Sequence, residues 1–190
     1  MARLLVVGHA ATVQARAMIF GDRSELARPV SRLERRLTRW VCGPEPACLA
    51  TAAGLGAAGG ELALDGLAGC DFGQWQGRSL AEVAESDPTG VERWTRDPDA
   101  RPHDGETLTE MVTRVGAQLA ETDWPAGGSA AVVTPLVARA AAVWALQADP
   151  AVIFRIDVAP LGAVALSGAS ARWRLQELTR SLQQAQLSSE

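Results

Sequence analysis

The run Leu4-Leu5-Val6-Val7 is wholly apolar and stops at Gly8. A strand without polar alternation is buried on both faces, which requires a sheet covered on both sides. Ala130 to Val133 is a second run of this kind, and the apolar helix Leu136 to Leu146 follows it. Between them, Leu108, Met111, Val112, Val115 and Leu119 share one helical face, and Ser79-Leu80-Ala81-Glu82 has the form of a capped helix start. Further helices are expected over Ser31 to Trp40, with Ser31 as N-cap and Leu33 and Leu37 on one face, and over Ala47 to Leu55. Glu61 to Leu64 reads as a short strand, and Val158 to Leu166 and Trp173 to Leu178 as two closing strands. His9 to Pro29 and Cys70 to Gly77 read as loop and turn segments. Strands alternating with helices, without a dividing linker, predict a single three-layer α/β (αβα) domain over residues 1–180 with a mostly parallel central sheet. Residues 181–190 read as a polar tail. In such a sheet the ligand site lies beyond the C-terminal ends of the strands, at the loops after Val7 and Val133.

Absent residue types narrow the chemistry. All 18 basic side chains are Arg, and the chain has no Lys, Tyr or Asn. Schiff-base chemistry, a P-loop lysine and tyrosine acids are therefore excluded, and the composition points to a high-GC bacterial source. A net charge of −4 argues against a broad nucleic-acid surface. No apolar run is long enough for a membrane span. Met1 to Gly8 does not have the form of a signal peptide, so a cytoplasmic location is expected. Cys42, Cys48 and Cys70 form no C-x-x-C pair and read as buried thiols in a reducing compartment, with no metal site expected.

Two histidines are available. His9 follows the first strand, where an α/β active site belongs, with a satisfied structural histidine as the plain alternative. His103 lies in the polar loop Arg101 to Thr107, whose plain reading is a solvated histidine. Glu106, just ahead of a helix, reads equally as a first-turn carboxylate or an exposed one. There is no G-x-G-x-x-G after a strand and no G-x-S-x-G.

The order of motifs resembles the histidine phosphatase superfamily, with its phosphoglycerate mutase-like fold. The segment Leu4 to Thr12 lies where that family has a strand followed by Arg-His-Gly-Glu-Thr. Asp71 to Leu80 is similar to its DFGxWEGxxL stretch, and Asp104-Gly105-Glu106-Thr107 to its GGES segment. Val132-Val133-Thr134-Pro135 stands at the place of VVSHGGVIR, and Arg172-Trp173-Arg174-Leu175 resembles GRWRL. The resemblance implies a phosphohistidine mechanism without metal or organic cofactor, with His9 as nucleophile and Glu106 as proton donor. It also shows what is missing. Gly8 stands for the motif Arg, Ala47 for the second Arg, and the second His is deleted or replaced by Pro135.

Removing one preorganised transition-state donor commonly costs on the order of a hundred- to a thousandfold in rate. Losing two Arg and a His leaves little ordinary phosphoryl transfer unless Arg16, Arg23 or Arg139 substitutes. The expectation is therefore a degenerate member of the fold, repurposed to bind or transform a small molecule through His9 and Glu106. Thr12, Arg16, Arg23, His103 and Thr134 are the expected substrate-binding residues. A non-catalytic pseudophosphatase acting as a binding or partner module, and an atypical phosphatase, are the alternatives. A small-molecule ligand is the expected partner, with no nucleic acid and no membrane. A homodimer is compatible with the fold.

Overall fold

The computed structural model describes residues 1–57, 59–169 and 172–182. Six strands form one sheet: β1 (Ala2–Gly8), β2 (Arg39–Cys42), β3 (Leu62–Ala63), β4 (Ser129–Val133), β5 (Ala163–Ala169) and β6 (Arg172–Thr179), in the order β3-β2-β4-β1-β5-β6. The β1–β4, β2–β4 and β2–β3 pairs are parallel, while β5 and β6 complete the sheet in antiparallel pairings. β1 thus sits inside the sheet, as its unbroken apolar run demands.

Leu4, Val6, Val41, Ala131, Val133 and Val164 look toward α4 (Leu108–Glu121) and α5 (Pro135–Leu146), packing with Met111, Val115, Leu119 and Val137. The opposite face, carrying Val7, Cys42, Val132 and Ala163, packs against Cys48 and Ala52 of α1 (Pro46–Ala52) and against Leu55 and Leu33. This is the expected three-layer α/β architecture with its mostly parallel sheet. α4 begins at a complete capping box, Thr107 with Glu110, and α2 (Leu80–Ser86) at another, Ser79 with Glu82. α4 approaches α5 closely because Gly116 lies under Trp144, where a Cβ would come within 2.1 Å of the indole.

Two expectations are corrected, and one helix is added. Ser31 to Trp40 is not a helix: residues 31–38 are irregular, and Arg39 and Trp40 already belong to β2. As a helix it would stack Arg32 over Arg36 and Arg35 over Arg39, like charges at i, i+4. Without the helix, it lays Leu33 and Leu37 on the sheet, bonds the Leu33 N–H to the Leu55 carbonyl, and leads into the strand that pairs with β4. The strand expected from Val158 starts only at Ala163. Pro160 has no donor, Leu161 is left-handed (φ 60°), and Gly162 N–H closes a turn on the Ala159 carbonyl. α3 (Pro88–Arg96), with Asp87 capping Gly90 N–H and Pro88 opening the first turn, was not anticipated. At the C-terminus, Leu182 is buried and donates its N–H to the Leu161 carbonyl. The remainder of the expected tail, 183–190, lies outside the described residues.

Candidate active site

The C-terminal ends of the parallel strands β1, β2 and β4 lie side by side and deliver His9, Pro44 and Glu45, and Thr134 to one cleft of 600 Å³. Hydrogen bonds fix each of these positions. The His9 N–H donates to the Val133 carbonyl, and the Ala10 N–H to the hydroxyl of buried Thr51 on α1. His9 Nδ1 lies 2.8 Å from the Ala10 carbonyl oxygen. A carbonyl only accepts, so Nδ1 carries the proton, and in the neutral ring Nε2 keeps its lone pair. Thr134 caps α5 by accepting from the Val137 N–H, and Pro135 and Leu136 of the same turn also line the cleft.

One wall is aromatic, made by Phe20, Phe72, Trp94 and Phe154. Phe20 contacts Phe72, Trp75 and Trp94 at centroid distances of 4.9–5.7 Å, and Phe154 stands edge-on to Trp94 at 4.9 Å. The loop carrying Phe20 is stitched to the 77–80 turn: Phe20 N–H donates to the Arg78 carbonyl and Gly77 N–H to the Phe20 carbonyl. Asp22, also in the wall, accepts from the Thr12 hydroxyl and the Ser24 N–H. Burial works to raise the Asp22 carboxyl, but the bonds from Ser24 and Thr12, with a contribution from His9, outweigh it and hold the group below the usual carboxylate range.

Glu45 is the second carboxylate of the wall. It stands at the N-cap of α1 but makes no side-chain cap bond to that helix. Instead Oε1 accepts from the Gly69 N–H at 2.5 Å, and the Cys48 thiol lies 3.6 Å from Oε2. A Cβ at Gly69 would meet Glu45 Oε1 at 3.1 Å and Thr134 Cγ2 at 3.3 Å, so carboxylate and α5 cap converge there. Burial, and then the charge of Glu45, push the Cys48 thiol far up; burial first, with Glu106 second, pushes Cys70 up to about 12. None of these buried thiols has the exposed, electropositive setting of a nucleophile.

The residues expected from sequence divide. His9, Arg23 and Thr134 line the cleft, Arg23 at its exposed mouth; Arg139 lines it as well. Arg139 reaches Asp157 at 3.6 Å, while its Nε is buried with no partner among the described residues. Thr12 is buried and secures Asp22 rather than facing the cleft, and Arg16 is exposed outside the wall. Glu106 is not brought to the wall either. Both its oxygens are held at 2.7 Å by Arg114, which also donates to the carbonyls of Gly66 and Ala68 at 3.1 Å. Ala47 is buried, and at Gly8 a Cβ would already meet the Ala159 carbonyl and Val158 at 3.3 Å. Of the residues that sequence reasoning missed, Glu45 carried one signal: an acid held between two prolines, Pro44 and Pro46, just before a helix. Asp22 and the aromatic wall carried none.

His103 corrects its loop reading most sharply. It is 0% exposed, sits among Trp75, Phe72 and Trp94 at 5.0–6.4 Å, and is absent from the cleft wall. Its Nδ1 accepts from the Gly105 N–H, so Nε2 carries the hydrogen and has no partner among the described residues. The loop is drawn inward because Gly73 and Gly105 let two backbones meet, with Gln74 N–H on the His103 carbonyl and Glu106 N–H on the Asp71 carbonyl. Burial lowers the His103 pKa, with Asp71 and Asp104 opposing. The unfolded chain titrates this group near about 6.5 and therefore takes up a proton at a higher pH than the folded protein does. Stability should be full above that value and decline as pH falls through it. Urea unfolding at pH 7.5 and 5.5 checks this. His103→Gln, which keeps an acceptor for Gly105, is expected to lose less stability over that interval than wild type.

Among the described residues, no helix is long and apolar enough to cross a membrane, and no group of three or more His, Cys, Asp or Glu could hold a metal ion. The family profile of the histidine phosphatase superfamily, branch 1, matches residues 22–181. A mycobacterial glucosyl-3-phosphoglycerate phosphatase superposes with a TM-score of 0.81 at 22% identity, over 95% of this chain and 100% of that one. The α-ribazole phosphatase of Shigella flexneri gives 0.78 at 16% identity, over 94% and 97%. Among curated sequences, a protein of Mycobacterium tuberculosis described as bifunctional is 41% identical over 51 residues, 27% of this chain. The match covers only 14% of that relative's length.

Proposed function

The chain belongs to branch 1 of the histidine phosphatase superfamily, and we propose that its cleft is a repurposed form of the family's site. In this reading the cleft binds or transforms a small molecule through His9 and does not hydrolyse ordinary phosphomonoesters. The observation that carries the reading is the setting of His9. Its Nδ1–H is tied to the Ala10 carbonyl and Nε2 is left as a base in the cleft, yet Gly8 stands beside it and Glu45 shares the wall. A basic imidazole with carboxylates and an aromatic wall suits proton transfer or nucleophilic attack on a ligand with an apolar body. Glu106 supports this site through Arg114, one layer behind the wall.

A second reading has its own support. Solved structures of this fold include phosphatases, and Arg23 and Arg139 line the cleft, so an atypical phosphatase could draw on them. Phosphate release from a panel of sugar, glycerate and aryl phosphates separates the two, with His9→Ala run beside wild type. The expected result is no release above the variant. Release that His9→Ala abolishes would establish the second reading and remove the first.

A further inference from the structure

We infer that Glu45 is a built-in anion, which reserves the His9 end of the cleft for ligands that are neutral or cationic there. The inference rests on the reading that the cleft is a ligand site centred on His9, and it names the ligand class. Backbone N–H groups and helix N-termini are the usual seats of phosphate and carboxylate ligands. Here the Gly69 N–H is already taken by Glu45 Oε1, and Gly69 stands next to both that oxygen and the Thr134 methyl, the side chain that caps the twelve-residue helix α5. Glu45 is free for this because it makes no cap bond to its own helix.

Its position is also braced from behind. Arg114 holds the Gly66 and Ala68 carbonyls, and with them the strand of backbone that presents Gly69. Glu45 reaches over Gly43, where a Cβ would collide with Oε2 at 2.5 Å, so small residues on both sides make room for the carboxylate. A ligand oxyanion at this end would face that charge, with Asp22 also in the wall. Of the cations of the wall, Arg23 is exposed and Arg139 reaches Asp157 at 3.6 Å. A hydroxyl, amide or ammonium would instead donate to Glu45 while the apolar remainder packs on Phe20, Phe72 and Trp94.

The test uses inorganic phosphate and orthovanadate as probes, with binding measured by calorimetry on the full chain. Glu45→Gln keeps an acceptor for Gly69 and removes only the charge. Glu45→Ala removes the side chain, and Glu121→Gln, on the exposed end of α4, controls for net charge. Wild type and Glu121→Gln should bind both anions weakly. Glu45→Gln should bind them about tenfold tighter or more, the scale of one like charge removed from a partly buried site. Folded Glu45→Gln and Glu45→Ala proteins that gain nothing over a weakly binding wild type would overturn this inference alone. Wild-type protein that already binds phosphate tightly, with loss in His9→Ala, would overturn the repurposed reading as well.

Discussion

Arg114→Ala should destabilise the protein by about 3–5 kcal/mol, the scale of removing one partner from a buried ion pair. Arg114 and Glu106 are 28% and 14% exposed in their side chains, so water screens the stranded carboxylate only in part and the lower end of that range is expected. The loss is not confined to the pair. Arg114 also satisfies carbonyls of the 66–69 segment, which would have to turn to solvent or stay unpaired. Glu106→Gln keeps an acceptor for Arg114 and should cost less. Chemical denaturation of the two variants against wild type reads the difference. Equal, small losses would mean that the pair is a bystander and the segment is held by other means.

Trp94→Ala should cost about 3–5 kcal/mol, the usual range for truncating a buried tryptophan. Trp94 is 6% exposed and touches Phe20, Phe72, Trp75, His103 and Phe154, so five rings lose a neighbour at once. Trp94→Phe should be far milder. The indole Nε1 is buried without a partner among the described residues, so its removal forfeits no hydrogen bond and relieves an unpaired polar group. Thermal unfolding of both variants tests this. A Phe variant as unstable as the Ala variant would mean that Nε1 has a partner, such as an ordered water.

These two positions also show what the sequence made legible. Patterns with a strict period were readable. The apolar run of β1, the five-residue face of α4 and the Ser79 cap of α2 each follow from local physics, and each lies where expected. The 31–38 segment was not readable, because its amphipathic spacing is satisfied equally by an irregular path along the sheet, and bonds to distant backbone, from Leu33 N–H to the Leu55 carbonyl and from Thr38 N–H to the Gly128 carbonyl, decided the outcome. The site divides in the same way. His9 was legible as a candidate because a strand end fixes its place, and Thr134 because it follows the second apolar run, Ala130 to Val133. Glu106 was assigned a role from its motif, yet the side chain turns toward Arg114, eight residues on, and only the folded backbone brings that arginine within reach. Glu45 enters the wall through the Gly69 N–H, a contact across 24 positions that no local rule announces.

The position of β1 between β4 and β5 has a temporal consequence. The strand that leads to His9 is synthesised well before its partners, with Leu4 opposite Ser129 on one side and Leu166 on the other. An emerging chain therefore holds Leu4 to Val7 as an unpaired apolar segment until β4 and β5 have left the ribosome. Non-local pairing of this kind slows folding and prolongs the exposure of sticky intermediates. The cleft is consequently a late product of folding, completed only after these distant segments have met.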